Sequence, residues 1–183
     1  MKNFVLYGGI ALGLLGIIIT GITYFIGVDA MVSLWTAGIV LVLFVGLYIY
    51  LGLRFRKFHG GYLSYKDSFT LIFFMSVISN VITGLFMILL YHVINPSLPE
   101  KLQDAVIQKT VSWMQKFDVP QDKIDEQIGK MQGDNSQFSI GSQVRSIPIN
   151  FISSAIIALL LALFIRKNPP PFQTNTLDDN PPS

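Results

Sequence analysis

Four stretches of this chain carry no Asp, Glu, Lys or Arg: Phe4–Ile26, Met31–Leu53, Phe69–Ile94 and Ile147–Ile165. A helix rises about 1.5 Å per residue, so about 20 apolar residues cross the ~30 Å hydrocarbon core of a bilayer. Each stretch is long enough, or nearly so. Lipid offers no water to bond exposed backbone, which makes the helix the conformation for such a span. The expected fold is therefore all-α: a polytopic membrane protein with four transmembrane helices. Composition agrees, since charged residues are 13% of the chain against roughly a quarter in soluble proteins. Mean hydropathy is +0.54. A net charge of +2 supplies no basic field for nucleic acid. The absence of cysteine excludes disulfides, thiolate metal sites and cysteine nucleophiles.

The first apolar run follows Lys2 but is too long for the core of a signal peptide and has no small-residue cleavage site after it, so it reads as a retained span. Gly27-Val28-Asp29-Ala30 is short enough to force spans one and two into an antiparallel hairpin. Ser64-Tyr65-Lys66-Asp67 has the spacing of a capping box ahead of span three, which stops before Asn95-Pro96. Pro148 suits the first turn of span four, where no hydrogen-bond partner is lost; an earlier helix start near Ser142 would place it in the interior, at a kink. Orientation follows from basic residues in short flanks. Arg54, Arg56 and Lys57, with Lys66, lie on the side shared by Lys2, Arg166 and Lys167. Both termini are accordingly expected in the cytoplasm, in a bacterial inner membrane.

Residues 95–146 form the main water-facing segment, extracytoplasmic and amphipathic. Ser97-Leu98-Pro99-Glu100 again has capping-box spacing and opens a helix to about Phe117. Leu102, Val106, Ile107, Val111, Trp113, Met114 and Phe117 occupy one half of its wheel, with Lys109 on the polar half. A second helix is expected to begin near Pro120-Gln121, with Ile124, Ile128 and Met131 on one stripe. Fifty residues rarely support a core alone, so the apolar face of the 98–117 helix must rest on the spans, the lipid interface or a partner. In the basic segment, Arg54, Arg56 and Lys57, joined by Arg166 and Lys167 beyond span four, set topology or meet lipid headgroups. Residues 168–183 are a Pro-rich tail whose composition predicts disorder.

Within the spans, small and polar residues recur at helical spacing. Gly9, Gly13, Gly16 and Thr20 share a face of span one; Ser76, Asn80 and Thr83 share one of span three; Asn150, Ser154, Ala158 and Ala162 recur along span four. Small residues let backbones approach closely in lipid, where helices are not driven together by the hydrophobic effect. These positions are expected to pack helices. The sharper reading makes Asn80, His92 and Asn150 functional polar groups, although ion and proton routes usually carry ionisable residues at mid-depth. No metal or phosphate motif is present, so no cofactor or catalytic residue is expected.

Gly60-Gly61-Tyr62-Leu63-Ser64-Tyr65-Lys66-Asp67-Ser68-Phe69, then Asn95-Pro96-Ser97-Leu98-Pro99-Glu100-Lys101, then a last span closing on Arg166-Lys167, resemble a family of short four-span bacterial inner-membrane proteins catalogued only as a domain of unknown function. The similarity spans about residues 1–167, and it implies the four-span layout but no activity. The leading expectation is a non-enzymatic accessory or scaffold subunit, in contact with the lipid bilayer and able to meet a membrane-protein partner or a second copy of itself through the 98–117 helix. A small transporter or channel formed by homo-oligomerisation comes second, and a membrane-embedded enzyme third.

Overall fold

The computed structural model describes residues 1–131 and 140–168. The described residues are helical: α1 (Lys2–Ile26), α2 (Val28–Met31), α3 (Leu34–Phe58), α4 (Tyr65–Leu89), α5 (Leu98–Lys116), α6 (Gln121–Met131) and α7 (Ile140–Ile165), with a π-helical turn, Leu90–Ile94, extending α4. Helices α1, α3, α4 with its π turn, and α7 are long and apolar enough to cross a membrane.

The helices outrun the hydropathy that marks them. Span two, expected over 31–53, is a helix from Leu34 to Phe58 whose last turn contains Arg56 and Lys57; positive charge suits the negative end of the helix dipole. Span three starts at Tyr65 rather than Phe69, and the serine half of its capping box forms as read: Ser64 Oγ accepts the Asp67 N–H at 3.1 Å, whereas the Asp67 carboxylate accepts from that same hydroxyl at 2.7 Å rather than from a backbone amide. Span four, expected from Ile147, starts at Ile140 and holds Pro148 inside the helix. Hydropathy locates the hydrocarbon layer, whereas a helix continues into water as long as nothing terminates it. Pro148 removes one intrahelical N–H. From residue 169 onward the Pro-rich tail lies outside the described residues.

Helix α4 occupies the centre, between α1 and α7. The α1–α4 seam is a backbone-to-side-chain fit. A Cβ on Gly9 would stand 2.7 Å from Ile78 Cβ, and one on Gly13 2.8 Å from Ile82 Cβ. On the other side, Ala158 and Ala162 of α7 are fully buried. Helix α3 is peripheral. Only Tyr48, Gly52 and Phe55 are buried along it, with Gly52 against Ile165, while Leu34, Trp35, Ile39, Leu41 and Val42 are exposed.

Each end of the bundle is fastened. At the basic end, Arg56 Nη1 donates to the Ile165 carbonyl at 2.8 Å, satisfying the terminus of α7. Leu63 and Lys167 exchange two backbone hydrogen bonds of 2.9 Å, and the Lys167 ammonium lies 5.6 Å from the Tyr62 ring centroid. Gly60 and Gly61 make the preceding turn with φ of 73° and 85°, which glycine adopts without strain.

At the opposite end, Leu90, Tyr91, Leu98 and Leu102 form a second core, with Tyr24, Val28 and Met31 against it. Asn95 Nδ2 donates to the Tyr24 hydroxyl at 3.2 Å. Helix α5 lies across this end, held near its start by Leu98 and Leu102 and farther along by Lys109. That lysine donates to the Asp29 carbonyl at 2.9 Å and pairs with its carboxylate at 3.5 Å. Helix α6 packs back on α5 through buried Ile124 and a bond from the Gln103 amide to the Met131 carbonyl. Three expectations change here. Ser97 does not cap α5, because its own backbone is helical and its hydroxyl donates to Asn95 Oδ1 at 2.8 Å. Trp113 and Phe117, assigned to the covered half of the wheel, are exposed and touch each other with centroids 5.5 Å apart. Lys109, assigned to the free polar half, is a tether.

Candidate functional site

The stripes of small and polar residues converge on a cavity of about 290 Å³ in the middle of the four spans. Gly16, Ile19 and Thr20 of α1 form one wall; Val40, Phe44 and Tyr48 of α3 form the facing one. Ser76, Ser79, Asn80 and Thr83 of α4 supply the polar side, and Ser154 and Ile157 of α7 form the remaining wall. The spacing explains the convergence. Val40, Phe44 and Tyr48 are four apart, as are Gly16 and Thr20, and Ser76 and Asn80; residues at that spacing share a helix face.

Polar bonds hold the surrounding helices in place. Asn80 Nδ2 donates to Ser154 Oγ at 3.0 Å, linking α4 to α7. Thr83 Oγ1 reaches the Gly13 carbonyl at 3.4 Å, linking α4 to α1. Tyr48 of α3 and Ser79 of α4 both border the cavity. Ser76 turns inward on its own helix and donates to the Phe73 carbonyl at 2.8 Å. Thr20, Ser76, Ser79 and Ser154 are buried, whereas Asn80 is exposed and stands at the mouth. Among the described residues, the lining contains hydroxyls and one amide, with no carboxylate, ammonium, guanidinium or imidazole. Such a surface can bind and orient a neutral polar group through hydrogen bonds. It offers no fixed charge to a charged one.

The residues singled out from sequence divide accordingly. Gly16, Thr20, Ser76, Asn80, Thr83 and Ser154 line the cavity, and Gly9 and Gly13 lie in the adjoining seam. Ala158 and Ala162 are buried beyond it. Asn150 and His92 are exposed and outside the lining, His92 on the π turn. Arg54, Lys57 and Arg166 are exposed at the basic end, while Arg56 and Lys167 are engaged there as described. Sequence reasoning missed Tyr48, Val40 and Phe44. The available signal was their spacing of four, continued by Gly52.

The architecture defines a multi-pass helical membrane protein with an uncharged polar cavity between its spans. More particularly, the chain belongs to the family described as Protein of unknown function (DUF4199), whose model matches residues 7–167. No curated protein and no solved structure matches the chain.

Proposed function

We propose that this protein is a non-enzymatic accessory subunit of the membrane, which holds a small neutral molecule between its spans. The observation that carries the reading is the cavity. Hydroxyl and amide groups are expensive to place in hydrocarbon, and here four helices each contribute at least one of them to a single space. The tight α1–α4 seam supports it further, because a preformed site needs walls that do not collapse. In this reading the basic end faces the cytoplasm and the α5 end faces away from it, within a bacterial inner membrane. A transporter stands second. The cavity would serve that role too, but its lining contains no ionisable carboxylate, ammonium, guanidinium or imidazole among the described residues, the groups that usually mark ion and proton routes.

Filling the cavity tests the proposal. Ile157→Trp adds a large side chain at the wall without removing a hydrogen bond. Native mass spectrometry of the protein released from nanodiscs should show a retained small molecule on the wild type and its loss in Ile157→Trp, with melting temperature little changed. Equal retention by both proteins would count against the cavity as the binding site. Purification in mild detergent addresses the accessory role: stable co-purifying membrane proteins support it, and a pure homo-oligomer favours the transporter.

A further inference from the structure

The polar groups around the cavity do not fully satisfy one another. No described side-chain oxygen or nitrogen is both sealed from the surface and unpaired; the Thr20 hydroxyl, on a largely buried residue and with no hydrogen bond among the described residues, therefore opens onto the cavity that it lines. Asn80 uses one N–H on Ser154, leaving the other N–H and its carbonyl oxygen without a partner among the described residues. An amide carries two donors and two acceptor positions. In hydrocarbon no bulk water can take up the remainder. The space between Thr20 and Asn80 therefore presents both donors and acceptors to whatever occupies it.

Three features narrow that occupant. It is neutral, because a charged head would sit at mid-depth with no counter-charge. It both donates and accepts, as a hydroxyl does. Its head is small, since the space of about 290 Å³ is at the lower bound of the roughly 300–1,000 Å³ of small-molecule pockets. An apolar chain attached to that head need not fit inside. Asn80 is exposed at the mouth, and its neighbours Val81 and Leu85 are exposed apolar residues. From these constraints we propose that the cavity binds the hydroxyl-bearing head of a neutral single-chain amphiphile, of the long-chain alcohol class, whose tail remains in the lipid. This rests on the reading of the cavity as a binding site and adds the chemistry of the ligand.

The test uses three photoreactive probes of equal chain length, each with a diazirine near one end: a primary alcohol, a carboxylic acid and a hydrocarbon with no head. Each is irradiated with the full-length protein in nanodiscs, and cross-linked peptides are mapped. The alcohol should label peptides containing Val40–Tyr48 and Ser76–Thr83 severalfold more than the other two, and unlabelled alcohol should compete. Thr20→Val keeps the shape of the side chain and removes its hydroxyl, so it should cut the labelling severalfold at unchanged melting temperature. If that variant fails to fold, the comparison of probes on the wild type still decides. Equal labelling by alcohol and hydrocarbon, or stronger labelling by the acid, overturns recognition of a hydroxyl head while leaving the cavity a binding site. If no probe reaches these peptides, both this inference and the reading beneath it fail.

Discussion

A single methyl group added at Gly13 should damage this fold more than its size suggests. The Cβ of Gly13→Ala would lie 2.8, 2.9 and 3.0 Å from Cβ, Cγ2 and Cδ1 of Ile82, where carbon atoms prefer about 3.5–4.0 Å. Ile82 cannot rotate out of the way, because the nearest atom is its own Cβ, fixed to the backbone of α4. The helices must separate by roughly 0.5–1 Å, and overpacking of this kind costs about 1–3 kcal/mol. The already long Thr83 bond to the Gly13 carbonyl, 3.4 Å, would stretch with them. Gly21 on the same helix is the control, since a Cβ there meets nothing within 4 Å. Gly21→Ala should be neutral or stabilising by up to about 1 kcal/mol from helix propensity. Denaturant-induced unfolding in mixed micelles, followed by far-UV circular dichroism, should place Gly13→Ala below wild type and Gly21→Ala at or above it. If Gly13→Ala proved as stable as Gly21→Ala, the close approach of α1 and α4 would be refuted.

Three further outcomes are expected. Lys109→Asp should loosen α5 and speed its cleavage in limited proteolysis, and the double change with Asp29→Lys should restore part of the protection; the pair is exposed, so the effect stays within about 1 kcal/mol. Arg56→Gln should lower stability by about 1.5–3 kcal/mol through loss of a charged donor to the Ile165 carbonyl, measured by the same unfolding assay. Arg54→Gln, whose guanidinium sits 5.9 Å from the centroid of the Phe58 ring, should change it by less than about 1 kcal/mol. For orientation, single cysteines replacing Asp29 or Ser112 in this cysteine-free chain should react with an impermeant thiol reagent in intact cells, and one replacing Lys57 only after lysis; the reverse pattern would invert the proposed topology.

What could be read from sequence was set by which physical signal dominates locally. The four spans are legible because a run without charge has one favourable environment. Their ends are less so: α3 carries Arg54, Arg56 and Lys57 beyond its apolar run, and α7 opens in a polar stretch before Pro148. The two capping boxes have the same spacing, yet Ser64 caps and Ser97 does not, since a cap depends on backbone angles that spacing alone does not specify. Periodicity found the polar faces of α1, α4 and α7, because Gly, Ser, Thr and Asn contrast with their apolar neighbours. It missed the wall built by α3, where Val40 and Phe44 look like any lipid-facing residue and Tyr48 like any interfacial aromatic. The wheel of α5 separated apolar from polar positions correctly, but what covers each position is a tertiary matter. Leu102 is buried by the ends of the spans, Trp113 extends past them, and Lys109 meets an aspartate eighty positions earlier in the chain.

The fastening of α7 also imposes an order in time. Arg56 and the Ile165 carbonyl that it bonds are separated by 109 positions, and Leu63 waits equally for Lys167. A nascent chain can pack α1 against α4 as soon as the third span has left the ribosome, with α3 beside them. At that stage Thr20, Tyr48 and Asn80 face an open trough. Ser154 and Ile157 are the lining residues farthest along the chain, and only when they arrive does the trough gain its remaining wall. Until then Arg56 has no carbonyl to hold and Asn80 no hydroxyl to bond. The cavity thus forms only once α7 has been made, so chains truncated before α7 retain the best-packed seam of the protein while lacking the wall that completes its cavity.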